Sequence, residues 1–453
     1  MGNLLSKKII VKEIDLTDQN LAEVSSKIWK KHTALETLIL CKNQLTDIPT
    51  SICKNKLFYS PITPKIGLLS NMRRLDISDN QIEELPIEIG DLSTLQSLEL
   101  HHNMLNSIPE GIFKLEGLKK LNLSFNKITS IDDQISKLLA LKSLNISHNN
   151  LTAIDSSIGT LSNLLMLNIG ENSICVLPES LGDLVNLEEI YLHQNHGVTE
   201  LPETLSKLVN IKKMNIGGMK LDSYPIFLDN WTKMTDLVIR QNSGIPEIPD
   251  SIGLLSSLKN LDSQGCSIRI LADNIGQLHD LIRLDLRRNQ LSSFAIPYTI
   301  TEWKSITHLY LGYNAFEIIP EEICELYSLV ELDISFNALV SLPKQISKLT
   351  QLVKLCLNNN KIEGLIPEIS SLKALQVLEI RHNVLSRLPP EIGELSSLLK
   401  LDASENHLID LPPELYLLEG IVLEVKGNHF DATMQEHILK GSDHLMKVLR
   451  KRT

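Results

Sequence analysis

Few residues of this chain stand at spacings that could do chemistry. His101 and His102 are adjacent and His148 follows further along, and paired imidazoles are the beginning of a metal site. A tetrahedral site needs a third protein ligand in reach, and the sequence points to none, so no metal and no cofactor are expected. The carboxylate pairs Glu321-Glu322 and Asp132-Asp133 could divide acid and base roles, but both fall at turns where a solvated face explains them. Six cysteines, at 41, 53, 175, 266, 324 and 356, are scattered singly without CxxC spacing. Neither zinc nor a disulfide framework is indicated, and lone thiols fit a reducing compartment. There is no GxxxxGK[ST], HExxH, GxSxG or kinase signature. The chain is expected not to be an enzyme.

The elements around these residues follow one pattern. The segment Leu118-Lys-Lys-Leu121-Asn-Leu123-Ser-Phe-Asn126-Lys-Ile128 has the form LxxLxLxxNxL. Its Asn recurs at 80, 103, 126, 149, 172 and 195, and again at 314, 337, 360, 383 and 406, in steps of 23. Further copies carry Asn43, Asn242, Asn289 and Asn428, while Gln19, Met219 and Cys266 stand in its place in three others. About eighteen copies are predicted between residues 11 and 430. Within each, the LxL alternation points two Leu to one face of a short strand. The Asn that follows is a turn residue whose amide can satisfy backbone groups of neighbouring coils. The second half reads LPxxIGxLxxL, as from Leu85 to Leu95, where Pro86 breaks the strand and a short helix or 3₁₀ turn is expected. No single copy can bury its own apolar side, so the copies must stack.

This pattern resembles the leucine-rich repeat family over nearly the whole chain. The resemblance implies an α/β solenoid, a horseshoe with a parallel β-sheet on the concave face and short helices or 3₁₀ turns on the convex face. The ending from Ile438 to Arg450 and the opening from Ile14 to Val24 are similar to the intracellular leucine-rich-repeat-containing protein forty group. The LPxxIGxLxxL form is similar to Ras-associated leucine-rich repeat scaffolds and their plant intracellular relatives. That resemblance implies an intracellular scaffold or adaptor in signal transduction, with small GTPases or protein phosphatases as partners.

Composition agrees with a repeat. The 453 residues would suggest about three globular domains, yet roughly 80 are Leu and only 4% are aromatic. A core of Leu and Ile is one small unit copied many times. The formal net charge of −11 argues against nucleic acid, which needs a surplus of Lys and Arg on one face. No run of about 18 apolar residues predicts a transmembrane helix, and no signal peptide opens the chain. Met1-Gly2-Asn3-Leu4-Leu5-Ser6 matches the N-myristoylation pattern with Gly2 as acceptor, and Lys7 and Lys8 follow. A cytoplasmic monomer with peripheral membrane attachment through Gly2 is the expectation.

The divisions expected are an N-terminal segment 1–10, a solenoid 11–430 and a helical cap with a basic tail 431–453. In the solenoid, the step from Asn43 to Asn80 is longer by an insertion around 54–65, read as a protruding loop with two prolines. In the cap, Thr433-Met-Gln-Glu436 reads as a capping box. Copies around Asn195 and Asn242 run one residue long, through Gly197 and Gly244.

With no catalytic constellation, surface remains. The non-Leu positions within and just after each strand should line the concave face, and five aromatics fall there without any need of the repeat. The partner-binding candidates are Phe125, Tyr191, His193, Arg287, Arg288, Tyr310, Tyr313, Phe336, Arg381 and His382. Tyr and Arg are enriched in binding hot spots, and the best single patch joins Arg287, Arg288, Tyr310, Tyr313 and Phe336. The competing expectation is that these rings stack between coils and serve stability alone. An alternative function is an adaptor of an enzyme, acting through the 54–65 insertion or the basic tail Lys447, Arg450, Lys451 and Arg452.

Overall fold

The computed structural model describes residues 11–24, 34–46, 69 and 71–452. The chain divides into two compact units, 1–220 and 221–453. Gly2 and the insertion at 54–65 lie outside the described residues, as does Cys53.

Each unit is a ladder of three-residue parallel strands, from Glu13–Asp15 to Lys213–Asn215 in the first and from Asp236–Val238 to Val422–Glu424 in the second. The register is carried by the first Leu of LxL, the middle residue of each strand: Leu75 faces Leu98, Leu98 faces Leu121, and Leu121 faces Leu144. The same holds for Leu284, Leu309 and Leu332. These side chains are fully buried, because alternation sends both leucines of LxL inward. Strand Thr37–Ile39 pairs directly with Arg74–Asp76, so the longer step between Asn43 and Asn80 leaves the ladder in register.

The second half of most repeats is a five-residue 3₁₀ turn, such as Glu110–Lys114 or Glu179–Asp183, entered through proline. The glycine of this turn has a packing reason. A Cβ on Gly182 would lie 2.2 Å from the carbonyl oxygen of Thr204 in the next coil, and one on Gly393 would lie 2.4 Å from that of Glu414. Only glycine lets successive turns approach so closely.

The repeated Asn is a bracket between coils. Asn149 Nδ2 donates to Leu123 O of the preceding coil at 3.0 Å and to its own coil's Ile146 and Ser147 carbonyls, while its Oδ1 accepts from Ile128 N at 2.9 Å. Where Cys266 replaces Asn, its thiol donates to Ile239 O at 3.3 Å, taking over the amide's donor role. Burial pushes that thiol up to about 11, so it stays protonated and able to donate. In the long copies the added residue forms a turn closed by Val198 N to Asn195 O and by Ile245 N to Asn242 O. Asn195 and Asn242 are then wholly buried.

A second local device recurs at the strand ends. The Asn or Asp after the central strand Leu folds back to accept the backbone N–H two residues on, as Asn122 does from Ser124, Asp285 from Arg287 and Asp402 from Ser404. Much of the polar lining on the strand face is therefore committed to shaping the chain.

The second unit spends several of the scarce aromatics on its core. Trp231 is wholly buried against Phe227, and Tyr224 bonds Ser263 at 2.6 Å, compensating a hydroxyl at a position where other copies carry an aliphatic residue. The chain closes with helices Ala432–Leu439 and Ser442–Leu449. The expected capping box at Thr433 is corrected here: Asp431 is the N-cap, accepting from Met434 N at 2.7 Å, and Thr433 lies inside the helix. Phe430 is buried immediately before the cap, which fixes where the helix can begin. The second helix buries Leu445 and Leu449, and Ser442 Oγ accepts from Leu423 N, satisfying a donor on the edge strand of this unit.

Candidate functional site: the strand faces

Side chains reach solvent on the strand face from three kinds of position: beside the central strand Leu, three residues after it, and directly before the ladder Asn. The last is distinctive, because its backbone is left-handed in coil after coil. Asp79, His102, Phe125, His148 and Glu171 have φ between +52° and +55°, and Arg288, Tyr313, Phe336, Asn359, His382 and Glu405 between +52° and +58°. Asn and Gly favour this conformation, whereas bulky residues adopt it at a cost. One residue per coil at a common φ places their planar groups one above another.

In the first unit this produces a ring column. Phe125 lies between His102, with centroids 4.1 Å apart, and His148 at 4.0 Å, and the planes deviate by 12° and 13°. Phe125 remains 41% exposed. In register, Asp79 precedes the column and Glu171 follows it. Beside it, Glu99 is buried and carries Lys120 Nζ at 2.7 Å and His101 Nδ1 at 3.6 Å. Burial opposes ionisation of Glu99, but the neighbouring His101 and the paired Lys120 outweigh it and hold the carboxyl down to about 2. The Glu99 carboxylate beside it in turn raises His101 above its ordinary 6.5, against the effect of burial.

In the second unit the column runs Arg288, Tyr313, Phe336. The Arg288 guanidinium lies 4.3 Å over the Tyr313 ring, and Tyr313 stacks on Phe336 at 4.0 Å with planes 8° apart. Both rings are 40% exposed. Among the described residues no carboxylate pairs with Arg288.

The five-residue patch expected from the sequence divides at this point. Arg288, Tyr313 and Phe336 come together as the exposed column. Arg287 and Tyr310 are tied into the sheet: Arg287 grips the buried Asp285 through Nε at 2.9 Å and Nη2 at 2.5 Å. Tyr310 is buried under Arg283 and Arg287, receives a bond from Arg283 Nη1 at 3.0 Å and donates to Glu331 at 3.0 Å. Glu331 continues to Lys354 at 2.9 Å.

The other candidates are spread out. Tyr191 donates to Glu189 in its own strand at 2.8 Å. The His193 ring sits over Gly170, where a Cβ would come within 2.4 Å of it. Arg381 and His382 are exposed in one coil, and the Arg381 backbone N–H bonds Asn358 Oδ1. His102 and His148, weighed in the sequence as members of a metal site, stack on Phe125 and complete the first column. Reading each copy at the residue before its Asn finds them directly.

Among the described residues no group of three or more His, Cys, Asp or Glu could hold a metal ion, and no helix is long and apolar enough to cross a membrane. What these faces offer chemically is recognition: exposed ring edges, a guanidinium and fixed carboxylates on a ladder of buried hydrogen bonds.

Comparison with known proteins points the same way. Leucine rich repeat family models match residues 71–92, 93–151 and 140–196. No curated protein sequence matches the chain. Among solved structures, a leucine-rich repeat protein of Leptospira interrogans is 29% identical over 95% of this chain and 93% of its own, with a TM-score of 0.70. The leucine-rich repeat ectodomain of the Arabidopsis receptor kinase HAESA, solved in complex with an extended IDA peptide hormone, is 25% identical over 92% of this chain and 74% of its own, with a TM-score of 0.64. An internalin of Listeria monocytogenes, 24% identical over 64% of this chain and 82% of its own at a TM-score of 0.58, shares the fold. With the repeat, the parallel ladder, the Asn brackets and these matches in agreement, the chain belongs to the leucine-rich repeat superfamily.

Proposed function

We propose that this protein is a non-enzymatic scaffold or adaptor that captures a protein partner on its strand face and works in intracellular signalling. The observation that carries the reading is the Arg288, Tyr313, Phe336 column. Two half-exposed aromatic rings and an unpaired guanidinium are held rigid by neighbouring coils, and such pre-organised Tyr and Arg side chains lose little freedom on binding. The HAESA ectodomain, similar over most of this chain, was solved with a peptide bound, which supports a peptide segment as the form in which a partner is held. Small GTPases and phosphatases are the partner classes that the resemblance to Ras-associated scaffolds suggests. A cytoplasmic monomer with Gly2 acylated completes the proposal.

The test is capture of partners from a native lysate by the wild-type chain and by the double variant Arg288→Glu, Tyr313→Ala. Loss of two hot-spot side chains should weaken capture by at least about 30-fold, the equivalent of about 2 kcal/mol, with circular dichroism unchanged. Undiminished capture refutes the assignment of this face. The rival reading, an adaptor acting through the insertion or tail, predicts that deleting 54–65 abolishes function while the column variant does not. The tail is engaged with its own unit, since Arg452 forms a bidentate pair with Asp410 at 2.8 and 2.5 Å. For the anchor, Gly2→Ala should move the protein from membrane to soluble fractions, and an unchanged distribution rejects it.

A further inference from the structure

The column of the second unit stops at Arg288, and the reason it stops is a glycine. The residue before the ladder position in the preceding coil is Gly265, at φ +68°, and in the coil before that it is Gln241, at φ +59°. The coils are in order, since strand Asn260–Asp262 lies between Asp236–Val238 and Arg283–Asp285. One step of the column is therefore missing, with the Arg288 guanidinium on one side and Gln241 on the other.

Two other glycines at this repeat position show that such a gap need not stay open. A Cβ on Gly218 would meet the Gln194 side chain at 2.5 Å, and one on Gly427 would meet the Glu405 carboxylate at 2.6 Å. There the side chain of the preceding coil has folded over the glycine. At Gly265 an added Cβ meets nothing closer than 3.9 Å: Gln241 N and Cα lie at that distance and Gln241 Cγ at 4.0 Å, ordinary van der Waals contact rather than a side chain folded over the glycine. The step over Gly265 is uncovered.

We infer that the step over Gly265 is a binding slot for one aromatic side chain of a protein partner, stacked against the open face of Arg288. The inference rests on the proposal that partners bind this strand face, and it names the partner's anchoring chemistry. Two coil spacings leave roughly 9–10 Å between the flanking positions, enough for one ring in van der Waals contact on both sides. The guanidinium is planar, and its other face already stacks on an aromatic ring at 4.3 Å. An aromatic ring in the slot repeats that contact on the second face and continues the column by one member.

The probe is N-acetyl-tryptophanamide, which is uncharged and so insensitive to the general field, with N-acetyl-leucinamide as comparison. Saturation-transfer NMR on the full chain should show the indole protons saturated and the leucine methyls scarcely so. Gly265→Phe fills the slot from within; Phe125 and Phe336 already occupy φ of +55° and +56° at this repeat position, so the fold tolerates it. Arg288→Asn removes the stacking face with a residue suited to left-handed backbone. Each variant should reduce indole saturation at least fivefold, and indole saturation equal in all three proteins overturns the slot. The two proposals fail separately. Partner capture lost in Arg288→Glu, Tyr313→Ala but untouched by Gly265→Phe rejects the slot and leaves the scaffold. Probe binding with the expected losses but no captured partner rejects the scaffold alone.

Discussion

Removing one ladder amide, by Asn149→Ala, tests whether the Asn brackets hold neighbouring coils together. Asn149 makes four hydrogen bonds and is 8% exposed, so water does not replace them. The partners are not equal. Leu123 O keeps Asn126 Nδ2 at 3.0 Å, Ile146 O keeps Asn172 Nδ2 at 3.1 Å, and Ser147 O keeps the amide of Phe125 at 3.0 Å. Ile128 N–H loses its bond to Asn149 Oδ1 and is left a buried donor. An orphaned donor costs about 1–3 kcal/mol, and three weakened carbonyl contacts add to it, so a local loss of about 2–3 kcal/mol is expected. Because a repeat touches only its neighbours, the loss should be local. Native-state hydrogen exchange reads it: the Ile128 amide should exchange roughly 30- to 150-fold faster. Leu339, whose amide is held in the same way by Asn360 in the other unit, is the internal control and should not change. Acceleration below about fivefold at Ile128, or equal acceleration at both amides, would refute the bracket account.

Glu99→Gln should bring the NMR titration of His101 back toward 6.5, because the neighbouring Glu99 carboxylate is the main cause of its elevation. The raised His101 contributes stability below 6.5 that is lost as pH rises through its folded value, and the depressed Glu99 contributes above 4.5 and loses this as pH falls toward about 2. The gap in urea midpoint between wild type and variant should thus be widest between about pH 4.5 and 6.5, and a gap constant from pH 4 to 8 speaks against the pair. Gly197→Ala drives a Cβ to within 2.5 Å of Cys175 Sγ and 2.9 Å of its Cα, and should cost about 1–3 kcal/mol in urea unfolding. Gly364→Ala meets nothing within 4 Å and should be neutral to slightly stabilising; similar losses in both would discredit the packing argument. Asp431→Ala should cost the terminal helices about 1 kcal/mol, while Thr433→Ala stays within about 0.5 kcal/mol, as thermal melts of the two can decide.

The fold was legible because its cause is local and repeated. LxL buries two side chains in every copy, Asn follows at a fixed distance, and proline separates strand from turn, so register follows once the copies are aligned. The site was half legible. Tyr310 and Tyr313 are three residues apart and equally aromatic, yet one is buried and the other exposed. Tyr310 sits beside the strand Leu, where register delivers Arg283, Arg287 and Glu331 to it from adjacent strands. Tyr313 sits before the ladder Asn, where neighbours arrive only from the same repeat position. The distinction is one of phase within the repeat, and it can be read from sequence only after the left-handed position is recognised. Thr433 misled for a related reason. Two good capping residues lie within three positions, and burial of Phe430, a tertiary fact, chooses between them.

The left-handed position also explains why the aromatics there matter more than others of their kind. At Trp231, Phe316 or Tyr224 a large ring fills the core and burial accounts for it. Before the ladder Asn the rings stay about 40% exposed, so burial gains less, and Asn, Asp or Gly would suit the backbone better, as Asn359, Asp79 and Gly265 illustrate. Phe125, Tyr313, Phe336 and Arg288 therefore stand where conformational preference opposes them. Stacking between coils offsets part of that cost, since each ring contact contributes about 0.5–1.5 kcal/mol. Stacking does not explain an unpaired guanidinium at the end of a column, nor a glycine left uncovered beside it while Gly427 in the same unit is covered. A column built only for stability would close over its last member; this one ends on a charged planar face beside an open step, which is the arrangement the proposed slot needs.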